Sequence, residues 1–270
     1  MTVFIADIRL AALLLLRSRL WVVAGIMVIL LAACAWLSAQ FSPRQPATVA
    51  LDIGLSFIRV AVPFWFLLQT QDLLAREIDR RLILTSLTYP RSRTSFVLAR
   101  YFAIVLVTLG LTALLFIVLA GIVDLSGQDY DQVTKVSLGV PYLVTFFFLI
   151  LDFAVVTAFA VMLSTISTIP NLVFLAGFGF MIAARSASTI IQLLERENQL
   201  VKGAHWYHQG LQGMQWAMPD LAALDVRPIA LYNKMELLPQ APWALVVMAL
   251  AYVAVLLTVA CLRFERRQFT

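Results

Sequence analysis

Six apolar runs, each long enough to form a helix across a lipid bilayer, decide what this chain can fold into. A spanning helix needs about twenty mostly apolar residues, and segments 20–39, 53–71, 96–123, 138–163, 170–194 and 241–262 meet that test. In hydrocarbon every backbone N–H and C=O must be paired within the chain, so such runs become helices. The expected fold is therefore all-α: a polytopic membrane protein of six transmembrane helices, read as a single domain over 1–270. Composition agrees. The 270 residues are 62% hydrophobic and only 13% charged, whereas a soluble domain is about one quarter charged.

The prolines punctuate these runs. Pro141, Pro170 and Pro242 stand at helix starts, where a missing N–H costs nothing. Pro63 lies within the second run and is expected to kink it. Cys34 and Cys261 fall in apolar stretches near opposite ends of the chain, which is neither a disulfide framework nor a metal spacing. The start does not read as a cleavable signal peptide, because Asp7, Arg9, Arg17 and Arg19 precede a run long enough to span.

Orientation is read from the basic residues, which concentrate on the cytoplasmic side of membrane proteins. Arg9, Arg17 and Arg19 precede the first span. Arg76, Arg80, Arg81, Arg91, Arg93 and Arg100 cluster between spans two and three, and Arg263, Arg266 and Arg267 follow the sixth. These are twelve of the 20 basic residues. The opposite side holds Arg44, Lys135, Arg196, Lys202, Arg227 and Lys234 over longer stretches. Both termini are thus expected in the cytoplasm. Clusters beside apolar runs also exclude a nucleic-acid reading of the net charge of +5.

Three extramembrane pieces follow. Residues 1–19 suit a helix lying in the inner interface. Residues 72–95 form a basic cytoplasmic loop. Residues 195–238, with Trp206, Tyr207, Trp216 and Tyr232, suit short helices resting at the outer surface. There His205 and His208 stand at i, i+3, but no further ligand is spaced to complete a metal site, and interfacial aromatic packing is the preferred reading. Gly177, Gly179 and the small residues Ala183, Ala184, Ser186, Ala187 and Ser188 would let another helix approach span five closely.

Ionisable side chains inside spans are costly and are functional candidates by default. Arg59, Asp152 and Arg185 are three, all roughly 18–22 Å from the inner boundary at 1.5 Å per residue. Equal depth allows one network, with Asp152 paired to Arg185 or to Arg59. It is read as a packing ion pair, with a polar substrate or gating site, or snorkelling arginines, as the alternatives.

The loop between spans two and three reads Gln71-Asp72-Leu73-Leu74-Ala75-Arg76-Glu77-Ile78-Asp79-Arg80-Arg81-Leu82, then Leu87-Thr88-Tyr89-Pro90-Arg91-Ser92-Arg93. Leu74, Ile78 and Leu82 recur at helical spacing, which fits either an amphipathic surface helix or a docking surface. This loop resembles the cytoplasmic loop of type-2 ABC exporter permeases. Glu77-x-Asp79 is similar to their acidic pair, and Leu87–Arg93 to their leucine-rich close on Pro-x-x-Arg. Arg263-Phe264-Glu265-Arg266-Arg267 is similar to their Phe-x-Arg-Arg ending, and Pro219-Asp220-Leu221 with Asp225 to an element before the last span. One departure is Arg80-Arg81-Leu82, where such permeases usually carry a Gly-Thr-Leu-like step, so the helix is expected to run on. Within the family the chain is similar to permeases of the nitrous-oxide-reductase maturation type.

The resemblance implies a transport subunit rather than an enzyme, in the cell inner membrane. Glu77, Ile78, Asp79, Arg80, Arg81, Leu82, Pro90 and Arg91 would form the coupling surface for an ABC ATPase. It further implies two ATPase copies and a second permease copy, a homodimer within the lipid bilayer. The chain holds no Walker-type Gly-x-x-x-x-Gly-Lys-Ser/Thr, so ATP and Mg would be held by the ATPase and no cofactor by this chain. The alternatives are a secondary transporter, or an intramembrane enzyme, working without an ATPase. The first would show two corresponding repeats of broken helices, and the second a paired catalytic site; neither pattern is evident.

Overall fold

A computed structural model describes residues 2–42, 44–75, 92–127, 136–167, 169–198 and 219–266, with backbone alone at 2–3, 75 and 188–198. Among these residues the structure is helical and contains no strand. Helix α1 covers Thr2–Leu16, α2 Leu20–Gln40, α3 Pro46–Thr70, α4 Arg93–Gly127, α5 Val140–Ile166, α6 Pro170–Asn198, α7 Arg227–Tyr232 and α8 Pro242–Arg266. Six helices are long and apolar enough to cross a membrane. They are α2, α3, α4, α5, α6 and α8, and the chain is a multi-pass membrane protein.

Several helices outrun their apolar cores. The second begins at Pro46 rather than 53 and continues past Thr70 through a π-helical turn, Gln71–Ala75. The fifth extends to Asn198. Hydropathy marks only the part of a helix that tolerates hydrocarbon, whereas backbone hydrogen bonding carries it into the polar boundary.

Packing follows small residues and aromatic pairs. The buried stripe of α2 is Ala24, Met27, Leu31, Ala35 and Ala39, spaced by helical turns, and its three alanines are small enough for a neighbouring helix to approach closely. Gly54 of α3 faces Leu119 of α4 so tightly that a Cβ there would stand 2.2 Å from a Leu119 methyl. Gly177 plays the same part between α6 and Leu67 of α3, whereas Gly179 has nothing within 4 Å. Hydroxyls of Thr70, Thr112, Thr145, Thr157 and Ser164 each donate to the carbonyl four residues back. These polar groups thereby find partners inside their own helices.

Helix α1 and the end of α8 both pack on the first part of α4. Helix α1 lies along α4, with Phe4 edge-on to Phe102. Trp21 donates its indole N–H to the Leu15 carbonyl and Trp65 donates to that of Leu20, both at 3.0 Å, which fixes the turn between α1 and α2. Ser18 and Gln69 hydrogen-bond across 3.3–3.4 Å. The start of α4 meets the end of α8: Phe96 stacks on Phe264, and Arg93 donates to the Glu265 carbonyl at 3.0 Å. Gln71 donates to Asn171 at 2.7 Å, bringing the start of α6 to the same end. Both ends of the loop between α3 and α4 therefore lie beside the end of α1 and the end of α8.

Candidate functional site

A chain of charges runs from inside the bundle to its other end. It begins at Asp152 on α5, which is 2% exposed and accepts a hydrogen bond from Nη2 of Arg185 on α6. Arg185 also donates through Nη1 to the backbone carbonyl of Arg59 at 2.8 Å. That carbonyl is available for a local reason. In an α-helix the Arg59 C=O would accept from the N–H of residue 63, and residue 63 is proline, which has none. Pro63 exposes an acceptor within the span, and the guanidinium of a neighbouring helix takes it.

The side chain of Arg59 points elsewhere. Its Nη1 donates to Asp225 and its Nη2 to the Leu221 carbonyl at 3.2 Å. Both partners belong to the segment between α6 and α8. Asp225 is held a second time by Arg227, from Nε at 2.7 Å and Nη2 at 2.8 Å. Arg227 in turn reaches the Ser56 hydroxyl and lies 3.8 Å from Asp52. Three aspartates and three arginines thus form one balanced network joining α3, α5, α6 and the start of α7.

Segment 219–232 is itself well ordered by short-range chemistry. Asp220 accepts from the N–H groups of Ala222 and Ala223, both at 3.1 Å, forming a side-chain turn. The turn buries Leu221 and Leu224 and points Asp225 inward. Helix α7 follows, with Ile229 and Ala230 buried against α3 and α5. It ends at Asn233 in the left-handed conformation, a common helix stop. Ser137 donates its backbone N–H to the Ala230 carbonyl at 3.2 Å, pinning the segment to the approach to α5. Within 195–238, residues 219–231 are therefore packed into the bundle, whereas Tyr232 and residues 233–237 are exposed at its surface.

Charge around Asp225 works in opposed directions. Burial would raise the pKa of its carboxyl, but the hydrogen bonds from Arg227 and the charges of Arg59 and Arg227 outweigh burial and hold it below the ordinary value. The Asp225 carboxylate correspondingly holds Arg227 above its ordinary value, against the effect of burial.

The residues singled out by sequence divide into two groups. Arg59, Asp152 and Arg185 come together, but Asp152 pairs with Arg185 while Arg59 takes its anion from outside the spans. Arg227, Ser56 and Asp52 are additions from the fold. Their trace in sequence is the spacing Asp52-Ser56-Arg59, which marks one face of α3. The coupling residues Glu77, Ile78, Asp79, Arg80, Arg81, Leu82, Pro90 and Arg91 lie outside the described residues, as do His205 and His208. Among the described residues no cluster of three or more His, Cys, Asp or Glu could hold a metal ion.

Comparison with known proteins gives one result. The family model described as "ABC-2 family transporter protein" matches residues 12–269, nearly the whole chain. A search of curated proteins finds no match. The match covers all six spans as well as the segment that carries Asp225, and membership implies association with an ABC ATPase. The chain therefore belongs to the ABC-2 transporter family and is the membrane-spanning permease component of an ABC transporter.

Proposed function

We propose that the chain is the permease of an ATP-driven exporter, working as a homodimer with two ATPase subunits in the cell inner membrane, with both termini in the cytoplasm. The family match over 12–269 is the observation that carries this reading. The fold supports it in one respect: α3 runs into the 72–92 loop through a π-helical turn, and α4 leaves that loop at Arg93. A partner pressing on the loop would act on two spans at once. The loop is the coupling element, with Glu77, Asp79, Arg80, Arg81, Pro90 and Arg91 as its docking side chains and Ile78 and Leu82 as its apolar contacts. ATP and Mg are held by the ATPase. The similarity of the loop and C-terminal motifs supports a place near the nitrous-oxide-reductase maturation permeases.

The test is co-purification of the tagged chain with an ABC ATPase, followed by ATPase assays of the reconstituted complex. Reversing the acidic pair, Glu77→Arg with Asp79→Arg, is expected to reduce assembly about tenfold or more, as loss of charge-assisted contacts would. A fully active chain that purifies and transports without an ATPase would sink the proposal.

A further inference from the structure

Arg59 spends its guanidinium in an unusual way for a cation inside a span. Both hydrogen bonds of its fork go to oxygens of the segment that precedes α8: the Asp225 carboxylate and the Leu221 carbonyl. Among the described residues, none goes to the spans. The other anion at this depth, Asp152, is paired to Arg185. Arg227 also holds Asp225, but it belongs to the same segment and would leave with it.

A guanidinium fork gripping two oxygens side by side is the geometry with which arginine binds a carboxylate or phosphate bidentately. We propose that Arg59 is the seat for an oxyanion of the transported molecule, and that Asp225 is a tethered stand-in filling that seat while the 219–232 segment is closed. This rests on the reading of the chain as an exporter permease and names the chemical class of its cargo: a carboxylate- or phosphate-bearing molecule.

The energetics couple the two events. Lifting the segment removes Asp225 and the Leu221 carbonyl together and leaves Arg59 as an uncompensated cation inside a span, which is costly. An arriving oxyanion restores the pairing, so anion binding and opening of the segment favour each other. Beside the seat, Arg185 Nε and Asp152 Oδ1 are buried without a hydrogen-bond partner among the described residues. They offer one donor and one acceptor to the polar part of such a cargo. A neutral cargo would gain nothing from this arrangement and would leave Arg59 stranded.

The experiment is hydrogen–deuterium exchange across 219–232 in the complete permease–ATPase complex, held in phosphatidylcholine nanodiscs. Two probes are added separately: phosphatidylglycerol in the bilayer, and inorganic phosphate in the buffer. Faster exchange with either probe is expected, and the responding probe separates a lipid headgroup from a soluble anion. Asp225→Asn should lower the half-maximal concentration of that probe roughly tenfold, because the tethered competitor is gone. Arg59→Gln, and the charge-neutral pair Arg59→Gln with Asp225→Asn, should abolish the response; the pair guards against misfolding caused by one uncompensated charge. No response to either probe, or a response that survives Arg59→Gln, overturns the proposal. The two readings fail separately: an Arg59-dependent response in a chain that binds no ATPase would remove the exporter role and leave the oxyanion seat standing.

Discussion

At the scale of single residues, Pro63 and Asp152 carry most of the consequence. Pro63 withdraws one N–H from α3, and Arg185 meets the orphaned carbonyl of Arg59 from another helix at 2.8 Å. Pro63→Ala supplies the missing N–H and a better helix former. The variant is expected to keep or raise its thermal midpoint, while the Arg185 link weakens and coupled ATPase activity falls; a calorimetric midpoint read beside turnover separates the two effects. Asp152 behaves differently, because its partner is a buried cation. Asp152→Ala strands Arg185 and should cost about 3–5 kcal/mol, whereas Asp152→Asn with Arg185→Gln, which removes both charges, should recover most of that. A double-mutant cycle on thermal unfolding of the purified chain measures the coupling.

At the scale of elements, close helix approach rests on small residues placed opposite large ones. Gly54 and Leu119 set the distance between α3 and α4. Leu119 is fully buried, so its methyls can yield to a new Cβ only by repacking the core around them. Gly54→Ala should therefore destabilise by about 1–3 kcal/mol, and Leu119→Ala in the same chain should relieve part of the strain. Melting curves of the two single variants and the double variant decide it: additive losses would mean that the two residues do not limit the approach. The same elements show how far sequence reading reaches. Helix identities follow from runs of apolar residues, since hydrocarbon leaves the backbone no other economy. The carbonyl that Pro63 frees in α3 is equally local. Which helix face meets which neighbour depends on matches such as Gly54 to Leu119 and Gly177 to Leu67, made between residues far apart in the chain.

At the scale of the whole molecule, one network ties α3, α5 and α6 to the segment before α8, and the anion that this segment contributes, Asp225, is sensitive to acid. Asp225 has a folded pKa below its ordinary value of 3.8. A carboxylate of this kind adds stability that is fully present above the ordinary value and is lost as pH falls through the lower, folded one. The attachment of 219–232 is thus expected to be constant near neutrality and to loosen only well into the acid range. Proteolytic protection of that segment, followed as pH is lowered, should fall in the native chain and stay flat in Asp225→Asn.

Sequence alone determined the solvent, the helical class and the existence of polar residues within the spans. Each of these is a local matter: a bilayer tests every segment by its own length and hydropathy. It also brought Arg59, Asp152 and Arg185 to a similar depth, because helical rise converts residue number into distance. What depth cannot supply is azimuth. The choice of Arg185 for Asp152, the turning of Arg59 away from both, and the capture of its side chain by Asp225 depend on how the helices rotate against one another. Only tertiary packing decided that a carboxylate from outside the spans, more than 160 residues further along the chain, should complete the charge of an arginine within them.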